Sequence, residues 1–169
     1  MTVKSVQKDT EQLTLTLTAE FDATANRVWQ LWSDPRQLER WWGPPGYPAT
    51  FVDHDFTSGG NVIYYMTSPE GEKYHGWWRI SDINPPGQLE FVDGFGDSDG
   101  NPNPDMPTTA TSVAIEEVDG ATRMTLRTKF PSEEAMQQLV KMGMEEGLTL
   151  AVGQIDEILS EDVSSGIRA

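Results

Sequence analysis

The sequence predicts an α+β fold: a curved antiparallel sheet of about seven strands, two short helices after the first strand, and a long C-terminal helix covering the sheet. Three observations carry this. Strand-like segments recur between Leu13 and Phe130 with short Gly, Pro and Asp turns between them, the pattern of consecutive hairpins. Between Ser132 and Leu159 the apolar residues switch to helical spacing. A sheet with one apolar face needs a cover, and this helix is the one segment long enough to supply it. A cylinder does not fill a trough, so a cavity is expected between the two.

The first strand is "LTLTLTAEF", where Leu13, Leu15, Leu17, Ala19 and Phe21 alternate with polar residues. "TANRVWQLWS" follows as a short helix with Thr24 as its cap and Val28, Leu31 and Trp32 on one side. "SDPRQLERWW" starts a second, with Pro35 at its first position, and Gly43-Pro44-Pro45-Gly46 ends it. Strands resume at "ATFVDHDF", "GGNVIYYMT", "KYHGWWRISDI" and "QLEFVDGF". The polar stretch "GDSDGNPNPDMP" is a loop, and Asp119-Gly120 joins the last two strands as a tight hairpin. Ser132 caps the final helix, which Gly143, Gly147 and Gly153 interrupt; they either admit a close approach to the sheet or leave space beside the helix. The chain of 169 residues is expected to form one domain, with its core at about 13–159 and flexible segments at 1–11 and 161–169.

Composition narrows the function classes. The formal charge of −15, without a Lys/Arg cluster, disfavours nucleic acid and anionic membrane surfaces. No apolar run reaches the eighteen or so residues of a membrane span, and the first twelve residues contain no signal-like apolar stretch. Cysteine is absent, which removes thiol nucleophiles and thiolate metal sites and suits a cytoplasmic setting. The two histidines, His54 and His75, lie in no catalytic or zinc motif. "DSDGNPNPD" fails the calcium-loop pattern, since Gly100 is its fourth residue and Thr108 stands at the twelfth. P-loop, dinucleotide-binding and G-x-S-x-G patterns are missing, so no cofactor is expected.

Strand parity nominates a cavity lining. Val62, Tyr64 and Met66 share one face, as do Tyr74, Gly76, Trp78 and Ile80, with His75, Trp77 and Arg79 opposite. Phe91 and Phe95, and Thr111 and Val113, extend the wall; Met136, Val140, Met144 and Leu148 face it from the helix. Asp93 shares the parity of Phe91 and Phe95, so Tyr64, Asp93 and Arg79 form a candidate polar cluster, with His75 as a further candidate base. Trp41 and Trp42 are expected at the cavity mouth, Trp41 anchoring with Leu38 and Trp42 facing the entrance, with clearly different burial.

One set of motifs runs through Ala23, Val28-Trp29, Asp34-Pro35, Leu38 and Trp41-Trp42-Gly43-Pro44; then Asp55 with Gly59-Gly60; then Asp82, Ile83, Pro85-Pro86 and Leu89; then "MGMEEGLTLAVGQIDEIL". Together they resemble the START-like (SRPBCC) superfamily, and within it the homologues of the heat-shock-protein ATPase activator C-terminal domain. Leu148 stands where that family usually has Trp. The resemblance spans about Leu13 to Leu159 and implies a helix-grip architecture with an apolar cavity. The superfamily contains lipid and polyketide binders, cyclases, a self-sacrificing resistance protein and co-chaperone domains, so it leaves function open. Three readings follow: binding of a small apolar or aromatic molecule at Trp41, Trp42, Tyr64, Met66, Trp78, Phe91, Phe95, Met136, Val140, Met144 and Leu148; a module that docks a chaperone or other protein; or a cyclase- or hydrolase-type enzyme using Tyr64, His75 or Asp93. The expected state is monomer or homodimer.

Overall fold

The computed structural model describes residues 3–164. Its order is β1 (Val3–Asp9), β2 (Thr14–Phe21), α1 (Ala25–Ser33), α2 (Pro35–Leu38), β3 (Ala49–His54), β4 (Asn61–Thr67), β5 (Lys73–Asn84), β6 (Gln88–Phe95), β7 (Thr109–Val118), β8 (Ala121–Lys129), α3 (Glu133–Lys141), α4 (Met144–Gly153) and α5 (Ile155–Ser164). The strands form one antiparallel sheet in the order β1-β2-β8-β7-β6-β5-β4-β3. The two short helices carry the chain from β2 to the far edge, and successive hairpins bring it back to β8 beside β2. Among the described residues, no helix is long and apolar enough to cross a membrane.

The sequence patterns explain most elements. On β2, Leu15, Leu17, Ala19 and Phe21 are buried while Thr16, Thr18 and Glu20 are not. The Thr24 hydroxyl caps α1 by accepting from the Arg27 N–H at 3.1 Å, and Asp34 caps α2. Asp119 and Gly120 have φ of 53° and 83°, the paired positive values of a primed hairpin turn. Ser132 accepts from the Ala135 N–H at 3.1 Å, with Glu133 and Glu134 at the positive end of α3.

Two expectations are corrected. The N-terminal segment, expected to be flexible, forms β1 as an eighth strand. It pairs from Val3↔Ala19 to Asp9↔Thr14, and the Asp9 carboxylate closes the turn by accepting from the Glu11 and Gln12 N–H groups at 3.0 Å. As an edge strand it needs few apolar residues, so period-two patterning is weak in it. The C-terminal helix, expected from Ser132 to about Leu159 with interruptions at Gly143, Gly147 and Gly153, is three consecutive segments, and the last, α5, extends past that end to Ser164. The first break lies at Gly143, whose φ of 93° is left-handed. The second lies at Gln154, whose side-chain amide donates to the carbonyls of Gly43 at 2.7 Å and Trp41 at 3.3 Å. Of the flexible tail expected at 161–169, the first four residues belong to α5 and the rest lies outside the described residues.

Trp41 and Trp42 follow α2 in a tight turn, both N–H groups donating to the Leu38 carbonyl. Contrary to the expected contrast, both are buried, Trp41 fully and Trp42 to 9% exposure. Their rings meet edge to face at 5.6 Å and belong to one aromatic core. Trp32 lies 4.8 Å from Trp41, Trp42 lies 4.8 Å from Trp78, and Trp78 stacks on Phe91 at 4.2 Å. Trp41 also donates its indole N–H to the Leu31 carbonyl at 3.0 Å, locking α2 to α1.

Candidate functional site

Between the inner face of the sheet and the α3–α4 segments lies a cavity of about 320 Å³. Its sheet wall comes from Tyr64 and Met66 on β4, Tyr74, His75 and Gly76 on β5, and Asp93, Gly94 and Phe95 on β6. Thr109 and Thr111 on β7 and Leu126 and Thr128 on β8 continue it. The helical wall is Leu139, Met142, Gly143, Met144, Gly147 and Leu148; Trp42 and Pro44 close one side, and Pro107 brings the end of the polar loop to it. Gly143 and Gly147 have nothing within 4 Å of where a Cβ would stand, so these glycines leave space rather than permit close packing.

The expected lining divides by depth. Trp42, Tyr64, Met66, Phe95, Met144 and Leu148 border this cavity. Trp41, Trp78 and Phe91 share the inner side but lie in the aromatic core, fully or almost fully buried. Met136 joins a separate cluster with Leu15, Phe130 and Leu139, and Val140 packs against it. The residues not anticipated are Gly94, Thr109, Leu126, Thr128, Leu139, Met142 and the two prolines, and His75, expected on the opposite face, also borders the cavity. Alternation on β8 puts Met124, Leu126 and Thr128 on one side, a signal that marks the last two.

One polar pair interrupts the apolar wall. Tyr64 pairs with Gly76 across β4 and β5, and a Cβ at position 76 would collide with the Tyr64 ring. The missing side chain lets the ring lie across β5 and reach β6, where its hydroxyl donates to Asp93 Oδ1 at 3.3 Å. Tyr64 is buried, while Asp93 is half-buried. Burial pushes the Asp93 carboxyl up to about 7, against hydrogen bonds from the Tyr64 hydroxyl and the Gly94 N–H that favour its charged form. Burial also raises the Tyr64 hydroxyl well above its ordinary value, and the neighbouring Asp93 charge adds to this. The indole N–H groups of Trp42 and Trp78 are buried without a hydrogen-bond partner among the described residues.

The other candidate groups stand apart from this pair. Arg79 is exposed and donates to the Asn61 side chain at 3.0 Å. The His75 ring lies 5.7 Å from Tyr65, its cross-strand partner. His54 stacks on Phe56 at 4.8 Å, and its Nε2 sits 3.0 Å from the Trp32 carbonyl oxygen; burial lowers its pKa. The Asp97 carboxylate is engaged in its own loop, accepting from the Asp99 and Asn101 N–H groups at 2.9 and 3.0 Å. Among the described residues, no group of three or more His, Asp or Glu is placed to hold a metal ion.

A sheet wrapped on a C-terminal helix, with an apolar cavity under that helix, defines a START-like protein of the helix-grip class. Residues 22–160 match the family described as activator of Hsp90 ATPase homolog 1-like protein, and the chain belongs to that family. It is similar to a protein of Arthrobacter aurescens solved by NMR, at 53% identity over 95% of this chain and 93% of the other, with a TM-score of 0.91. A crystal structure from Mycobacterium smegmatis is 50% identical over 93% of this chain and 96% of that one, with a TM-score of 0.86. An AHSA1 protein from Silicibacter pomeroyi is 25% identical over 88% and 99%, with a TM-score of 0.72. No curated protein matches the chain significantly.

Proposed function

We propose that this protein binds a small apolar or aromatic molecule, without covalent chemistry, in the cavity between the sheet and α3–α4. The observation that carries the reading is the cavity of about 320 Å³ itself. At ~30 Å³ per water it has room for about ten waters, which places it at the small end of ligand sites and suits one or two fused rings. Trp42, Phe95, Met144 and Leu148 offer the apolar contact, and methionine adapts to the shape of a ligand. The family's description keeps a protein partner in view. Against that reading, the exposed large apolar side chains among the described residues are Tyr47, Val52, Tyr74, Met142 and Leu150, and two of these, Tyr74 and Met142, belong to the cavity wall. Native mass spectrometry of protein purified from its own source, with thermal shifts across a panel of hydrophobic compounds, tests the proposal. A retained small molecule or a saturable rise in melting temperature is expected. Neither appearing would refute it.

A further inference from the structure

We propose that the occupant of this cavity is an organic cation, an apolar or aromatic body carrying a protonated amine that pairs with Asp93. This names the ligand class of the site above and rests on that reading.

The argument starts from what the wall lacks. Asp93 is the one carboxylic acid among the residues lining the cavity, and no lysine or arginine lines it. None of the ion pairs among the described residues includes Asp93. His75 is the one lining side chain able to carry positive charge, and its ring lies against Tyr65, with no hydrogen bond to Asp93. A carboxylate placed without a counter-ion in an apolar wall is a costly arrangement that a bound cation relieves.

The hydrogen-bond polarity points the same way. Tyr64 supplies a proton to Oδ1 from within the wall. A carboxylate has about four lone-pair positions, so acceptor capacity remains for a donor arriving from the cavity. A ligand carboxylate or phosphate would meet Asp93 with like charge and find no lysine or arginine to receive it. A neutral hydroxyl offers a donor without the charge. An ammonium offers both, and the lining includes the aromatic rings of Trp42, Tyr64 and Phe95, the side-chain type that attracts a cation.

Long-range electrostatics add to this selection. The chain carries a formal charge of −15, and the loop that delivers Pro107 to the cavity contains Asp97, Asp99 and Asp105. Negative potential around an opening concentrates cations there and repels anions.

A series with one ring system isolates the head group: 2-naphthylmethylamine, 2-methylnaphthalene and 2-naphthoate, titrated calorimetrically at about pH 8, where the amine is still largely protonated and Asp93 ionised. The amine is expected to bind at least ~10-fold more tightly than the hydrocarbon, and the carboxylate more weakly than either. In Asp93→Asn the ratio of amine to hydrocarbon affinity should fall to within about threefold of one. Hydrocarbon binding as tight as amine binding would overturn the cation proposal and leave the cavity reading standing. An amine preference that persists in Asp93→Asn would overturn the role of Asp93. Failure of all three probes to bind would overturn both readings together.

Discussion

Two glycines in the helical wall make opposite predictions from the same open space. Gly143 and Gly147 both line the cavity, and an added Cβ meets nothing within 4 Å at either position. Gly147 sits inside α4, whose conformation alanine prefers by about 1 kcal/mol. Gly147→Ala should therefore raise the melting temperature by about 2–4 °C for a chain of this size. Gly143 differs only in its backbone: φ is 93°, where an L side chain costs about 1–2 kcal/mol. Gly143→Ala should lower the melting temperature by about 2–8 °C. Thermal unfolding followed by circular dichroism, checked by urea denaturation, reads both. The reasoning fails if Ala at 147 destabilises, since the space would then not be open. It fails also if Ala at 143 is neutral, since the left-handed break would then not be required.

Three further outcomes follow from other parts of the wall. Gly76→Ala should destabilise by about 1–3 kcal/mol in urea unfolding, because the new methyl displaces the Tyr64 ring from its path to Asp93. Gln154→Ala should cost about 1–3 kcal/mol by leaving the Gly43 and Trp41 carbonyls without their donor; Glu at 154 should do no better, since a carboxylate cannot donate to them. Asp93 gives a pH dependence with a definite sign. Its folded pKa of about 7 lies above the ordinary 3.8, so between these values the native state holds more protons than the unfolded state and stability falls as pH rises. The stability of Asp93→Asn relative to wild type should grow from about pH 4 to pH 7 and then level off; a difference that is flat across this range contradicts the unpaired, partly desolvated carboxyl.

Much of this architecture is legible in the residue order, and the parts that are not share a physical cause. Alternation on β2 and the Asp119-Gly120 hairpin are local signals, and both hold in the structure. Parity assigns Tyr64, Trp78 and Phe91 to the inner side, where they lie. It does not give depth. Trp78 and Phe91 are consumed by contacts with Trp32 and Trp42, whereas Tyr64 and Phe95 remain at the free volume. That division depends on where the turn after α2 meets the sheet, a contact between segments distant in sequence. The Trp41-Trp42 pair fails its expected contrast for the same reason: one ring fills the gap to Trp32, the other the gap to Trp78. The strand β1 is hidden because an edge strand carries little periodic signal; the helix break at Gly143 is legible as a glycine interruption, whereas the one at Gln154 depends on its reach to distant carbonyls.

The central claim is that a small organic molecule occupies the space between the sheet and α3–α4. The six tryptophan indole N–H groups give a direct test by nitrogen-15 NMR during titration with 2-naphthylmethylamine and with 2-methylnaphthalene. Trp42 borders the cavity, whereas Trp29 packs on Phe56 away from the lining residues, with ring centroids 5.5 Å apart. Saturable movement of the Trp42 signal with the Trp29 signal unchanged is the predicted result. Six unmoved signals with both compounds, or movement at Trp29 without Trp42, would contradict the account.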